Sequence, residues 1–152
     1  MSTPAEVSIR KATSADTGAV VALLVAAKLP VDGVPDALSH VLVAERGTGA
    51  AKEIVGVVAL ERQGDAALLR SAAVAPAVRG TGLGARLVQR ALDDARAQSL
   101  RELVLLTTTA DAWFPRFGFE RISREEAPEA LLASDEFQFA CPASAVVMRL
   151  RM

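Results

Sequence analysis

The chain has 152 residues, of which 51% are hydrophobic and 4% aromatic, and its net charge is -1. That length fits one domain, residues 1–152, able to bury a core without metal or disulfide staples. The charge balance offers no basic face for nucleic acid, no apolar run reaches the roughly 18 residues that span a bilayer, and Cys141 is the only cysteine.

Met1–Glu6 lacks the features of a secretory signal, and a lone thiol fits a reducing compartment, so the expected location is cytoplasmic. In chain order, Val7–Lys11 alternates like a short strand. Thr13–Asp16 offers N-caps, and Val20, Leu23, Leu24 and Ala27 recur at helical spacing until Pro30 and Gly33 break the pattern. A helical turn over Pro35–Ser39, a strand over Val41–Glu45 and a loop at Gly47–Gly49 follow. Glu53–Glu61 and Ala66–Val74 read as a hairpin joined by Arg62–Asp65, with Gly64 suited to the turn.

Leu83, Leu87, Ala91, Leu92 and Ala95 stripe a helix that runs to about Ser99. Leu103–Thr108 is then a strand, Ala110–Arg116 a short helix ended by Pro115, and Phe119–Ile122 a strand. Ala127–Ala133 reads as helical and Ser144–Leu150 as the closing strand. The order predicts a single α/β domain, a mixed sheet of six to seven strands flanked by helices, with a parallel strand–helix–strand unit at its centre.

Chemistry concentrates in Arg79-Gly80-Thr81-Gly82-Leu83-Gly84, at the opening of the Leu83 helix. Small residues let backbone approach a ligand, and the first amides of a helix favour an anion. Gly80, Gly82 and Ala85 match a dinucleotide fingerprint, with Glu102 about 20 residues on. However, Glu102 precedes the Leu103 strand instead of ending it, and Ala75–Arg79 lengthens a turn that should be tight. No Lys-Ser or Lys-Thr follows, which removes a nucleotide P-loop.

Arg79-x-x-Gly82-x-Gly84 after Ala72-Ala73-Val74 resembles the acetyl-CoA motif of the GNAT N-acetyltransferase superfamily, and the order of elements resembles that fold over nearly the whole chain. The resemblance implies that the loop amides from Arg79 to Gly84 hold the pyrophosphate of coenzyme A. It further implies that Ala72, Ala73 and Val74 line the pantetheine arm. Leu105–Phe114 with Phe117-Gly118-Phe119 resembles acetyltransferases of amino acids. Together with Leu68-Leu69-Arg70-Ser71 and Glu136–Ser144, it is most similar to the subgroup named for arsenic resistance. Acetyl-CoA is thus the expected co-substrate and a small-molecule amine the partner, with no metal, no nucleic acid, no membrane and a possible homodimer.

Acetyl transfer needs a neutral amine, a polarised thioester carbonyl and a stabilised thiolate. Relatives often carry a carboxylate on the strand at the position of Leu68, which cannot serve. Strand alternation groups Leu68, Arg70 and Ala72, and hairpin pairing adds Glu61, the leading candidate base. Its alternative is a solvated strand-end carboxylate.

Arg70 within an apolar strand demands an anion, either an acceptor's carboxylate, phosphonate or arsonate, or an internal acid such as Glu61 or Glu136. Ser71 joins it as a substrate-side candidate. His40, the only histidine, is a second candidate base or a surface residue. Relatives often place a tyrosine where Phe114 stands. With no tyrosine in the chain, the thiolate donor is water, a hydroxyl such as Thr107 or Thr109, or nothing. Phe114 and Trp113 are expected beside the pantetheine or in the core, and Cys141 as a core thiol. A non-catalytic acyl-CoA-binding module is the alternative reading.

Overall fold

The computed structural model describes residues 7–28, 40–47, 52–108, 110–128, 131 and 145–152. Its strands are β1 (Val7–Lys11), β2 (Val41–Arg46), β3 (Glu53–Gln63), β4 (Ala66–Val74), β5 (Glu102–Thr107), β6 (Glu120–Ile122) and β7 (Val146–Arg151). Among the described residues, α1 (Thr17–Ala26) and α2 (Leu83–Ala97) are the α-helices with defined bounds. Seven strands among the described residues form one sheet in the order β1-β2-β3-β4-β5-β7-β6. β4 and β5 run parallel, as the intervening α2 requires, while β1–β2, β2–β3, β5–β7 and β6–β7 are antiparallel. The expected α/β architecture with a mixed sheet is therefore present.

Two compact units share the chain, Met1–Ala59 with Ser71–Ala91, and Leu60–Arg70 with Leu92–Met152. In the first, Val20 and Leu24 of α1 pack with Val41, Val43, Val57 and Ala59 of the sheet. α1 is apolar on every side, so burial selects only part of it, and Val25 stays 62% exposed. Leu87 of α2 lies so close to β3 that a Cβ added at Gly56 would meet its Cδ1 at 2.7 Å. Glycine is there because a helix side chain occupies the space.

Of the Thr13–Asp16 caps, Thr13 caps a 3-10 turn over Ser14–Asp16, and Asp16 makes no side-chain cap on α1. Its carboxylate turns back to accept from the Thr13 backbone N–H at 2.8 Å and from Arg10 at 2.7 and 2.9 Å. Arg10 also donates to Glu45 at 3.0 Å, tying β1, β2 and the turn before α1. The Arg10 guanidinium lowers the Asp16 carboxyl to about 2 from 3.8. A carboxyl depressed on folding stabilises the protein above its unfolded value, and that stability is lost as pH falls through the folded value. Urea midpoints measured from pH 5 down to pH 2 should therefore drop by more in the wild type than in Asp16→Asn. Because Arg10 is partly exposed, the differential is on the order of 1 kcal/mol.

In the second unit, Ala66, Leu68, Val104, Leu131 and Val147 form the core. Three local expectations change. β3 runs on to Gln63, so the hairpin turn contracts to Gly64-Asp65, with Gly64 at φ +66. α2 stops at Ala97, two residues early, and Ser99 turns left-handed at φ +59. Ala110–Arg116 is not an α-helix. Turns lead into a 3-10 helix over Phe114–Phe117, with Pro115 near its start and Gly118 closing it at φ +99.

Ala127 and Pro128 are non-helical, Leu131 is helical, and the rest of the expected Ala127–Ala133 helix lies outside the described residues. Pro35–Ser39, Thr109, Glu136 and Cys141 also lie outside them.

Candidate functional site

Val74 ends β4, and the Ala75 N–H then donates to the Val55 carbonyl at 2.8 Å. Pro76–Val78 forms a 3-10 turn anchored by the buried Val78 side chain. Arg79 through Gly82 lie exposed, and Leu83 buries itself as the first residue of α2. Gly80 and Gly82 have φ of +81 and +84, a conformation that carries a Cβ penalty in other residues. A Cβ at either would meet nothing within 4 Å, so the space beside this backbone is open.

The Thr81 hydroxyl is held within the loop, donating to the Val78 carbonyl at 2.5 Å. The helix begins with the Arg86 N–H on the Gly82 carbonyl at 3.1 Å, while the Arg79 and Thr81 N–H groups already donate to the Pro76 and Val78 carbonyls at 3.3 and 3.4 Å. The first turn of α2 carries no acidic residue to oppose an anion. A positive helix end and open glycines suit a pyrophosphate; of the predicted cradle residues, Arg79, Gly80, Thr81 and Gly82 form the turn and Leu83 and Gly84 the first residues of α2.

β4 itself contains an irregularity that alternation misses. Ala66 through Ser71 are all buried, then Ala72 is exposed and Ala73 and Val74 half-buried. The change occurs at Ser71, whose φ of +59 is left-handed and rephases the strand. Leu68, Arg70 and Ala72 therefore do not continue one alternating series. The parallel pairing with β5 also ends early, at Leu68 with Val104, although β5 stays paired to β7 as far as Thr107 with Val146. Nothing in the sequence signals the left-handed residue, because a serine stands where a glycine would have marked it.

Arg70 and Glu61 come together as expected. Arg70 is 6% exposed, and its Nη1 lies 3.9 Å from Glu61 Oε2, an ion pair too long to be a hydrogen bond. That oxygen is buried and, among the described residues, makes no hydrogen bond. The Ser71 hydroxyl is likewise buried with no partner among them. An unsatisfied buried polar atom costs about 1–3 kcal/mol, and a strained left-handed residue about 1–2 kcal/mol more. Such costs concentrate where a ligand later relieves them.

Other candidates serve structure in this state. The Thr107 hydroxyl accepts from the Ala110 N–H at 2.9 Å, and Phe114 is buried with edge-to-face contacts to Trp113 and Phe119. His40 is exposed just before β2. Glu102 opens β5, pairs with Ala66 and faces Arg149 at 3.9 Å, a structural place that agrees with the case against a dinucleotide fingerprint.

The Acetyltransferase (GNAT) domain family matches residues 37–121, more than half of the chain. The chain belongs to the GNAT acetyltransferase family. Among individual relatives, it is 40% identical to the amino-acid acetyltransferase of Pseudomonas fluorescens over 74 residues, 49% of this chain and 17% of that one. It is 41% identical to the Ralstonia nicotianae enzyme of the same name over 56 residues, 37% of this chain and 12% of that one. This GNAT chain thus spans under a fifth of the length of those curated relatives.

The fold matches N-acetylglutamate synthase from Neisseria gonorrhoeae complexed with coenzyme A and N-acetyl-glutamate. The TM-score is 0.81 at 24% identity, covering 99% of this chain and 36% of that one. It also matches a Mycobacterium tuberculosis protein in complex with CoA, at TM-score 0.80 and 24% identity over 95% and 99% of the two chains. Among the described residues no helix is long and apolar enough to cross a membrane. No cluster of three His, Cys, Asp or Glu residues among them could hold a metal.

Proposed function

We propose that this GNAT protein acts as a single domain and moves the acetyl group of acetyl-CoA onto the amino group of a small, acidic, amino-acid-like acceptor. The observation that carries the reading is the open backbone at Gly80 and Gly82, at the N-terminus of α2 and one 3-10 turn beyond β4. In this reading the Arg79–Gly84 loop holds the pyrophosphate through the amides not already paired within it, while Ala72, Ala73 and Val74 pair with the arm as an added strand edge. Thr107 and Phe114 are the further cofactor-side residues of this reading.

Arg70 binds the acceptor's anionic group, because a buried guanidinium offers an oxyanion both full charge and a planar donor fork. Glu61 takes a proton from the acceptor ammonium, with His40 as the second candidate base. A carboxylate, phosphonate or arsonate would suit Arg70 equally in charge, so arsenical and phosphonate amino-acid analogues belong to the same acceptor class.

Release of coenzyme A thiol, followed with acetyl-CoA and a panel of amino acids with their phosphonate and arsenical analogues, tests this. Turnover should require both an amine and an anionic group on the acceptor. Calorimetric binding of acetyl-CoA without turnover of any amine would instead establish a binding module.

A further inference from the structure

We propose that the Ser71 hydroxyl is the hydrogen-bond donor to the sulfur of the thioester as acetyl leaves it, filling the role for which the chain has no tyrosine. This rests on the acetyl-transfer reading above. Three observations converge on the residue. Ser71 adopts a left-handed backbone conformation without being glycine, at φ +59. Its Oγ is buried with no partner among the described residues. It also stands immediately before Ala72–Val74, the stretch of β4 that leads to the cradle.

Strand rise is about 3.3 Å per residue, so an arm running back from the cradle beside Val74, Ala73 and Ala72 brings its far end to Ser71 after about 10 Å. That far end carries the thioester. Folding alone would be better served by glycine, which removes both the strain and the orphaned hydroxyl. Serine at this position therefore has its use in a complex. Rotation about Cα–Cβ moves Oγ among three staggered positions, which lets a buried hydroxyl turn to a ligand when an acceptor arrives.

In the step, the amine nitrogen forms a bond to the acetyl carbon and the C–S bond breaks with its electron pair going to sulfur. The amine's proton passes to the general base or to solvent. The Ser71 hydroxyl keeps its proton and donates a hydrogen bond to the thiolate, whose own low basicity makes full protonation unnecessary at this stage.

Ser71→Ala and Ser71→Gly test this in the full chain. Both should lower kcat about 10–100-fold, with the calorimetric Kd for coenzyme A within twofold of wild type. Ser71→Gly should raise the melting temperature of the unliganded protein by about 2–4 °C. Unchanged kcat in both variants, or loss in alanine but not in glycine, would overturn the proposal, the second by placing the effect in backbone geometry. A lower melting temperature for Ser71→Gly would overturn its structural premise. If the alanine variant does not fold, the glycine variant alone decides by the same kcat and Kd comparison. A wild-type protein that neither binds coenzyme A nor releases thiol would refute the acetyl-transfer reading itself, a failure separate from that of Ser71.

Discussion

Arg70→Ala should raise KM for an acidic acceptor about 100-fold while leaving KM for acetyl-CoA within twofold. The asymmetry follows from where Arg70 sits. It is buried, and it lies beyond the last residue of β4 paired to β5, on the strand that leads to the cradle. A charge-assisted contact from an acceptor anion at ordinary hydrogen-bond distance is worth about 1.5–3 kcal/mol, which spans the expected factor.

Removing the guanidinium also leaves Glu61 facing a void, so part of the loss will register as stability. Arg70→Lys separates the two effects. It retains the charge for Glu61 but loses the planar fork, and should recover most of the melting temperature with little of the acceptor affinity. Equal KM increases for acceptor and acetyl-CoA would remove Arg70 from the acceptor side.

The sheet and the cradle were legible because their signals are local. The Leu83–Ala95 stripe, the hairpin around Gly64 and the glycines opening α2 each depend on residues close in sequence, and each lies where expected. Strand order beyond β5 was not legible, since β7 lies between β5 and β6 and no short-range pattern encodes that insertion. Ala110–Arg116 misled because apolar and aromatic residues at helical spacing outweighed Pro115. The proline tightens the segment into a 3-10 helix, where Phe114 packs on Trp113 and Phe119.

On the acceptor side, hairpin reasoning brought Glu61 to Arg70 correctly. The error came one residue later. A left-handed serine breaks the two-residue period, and period-2 arguments have no means of detecting it when glycine does not mark the place.

Gly82→Ala tests the cradle, and its informative comparison is Gly64→Ala. Both glycines have positive φ, +84 and +66, and a Cβ at either meets nothing within 4 Å. The intrinsic cost of an L-residue in this conformation is therefore similar at the two sites, about 1 kcal/mol, or roughly 2–4 °C in melting temperature. Ligand binding should separate them.

At Gly82 the open space is the approach to the first amides of α2, so a methyl group there keeps a pyrophosphate from the N–H groups and the helix end that attract it. Acetyl-CoA should bind about 10–100-fold more weakly, since hydrogen bonds to charged groups contribute about 1.5–3 kcal/mol each. At Gly64 the open space belongs to a hairpin turn, and affinity should stay at the wild-type level. Equal affinities for the two variants would mean that the anion is held elsewhere. A loss confined to Gly82→Ala, at matched stability, would locate it on the cradle.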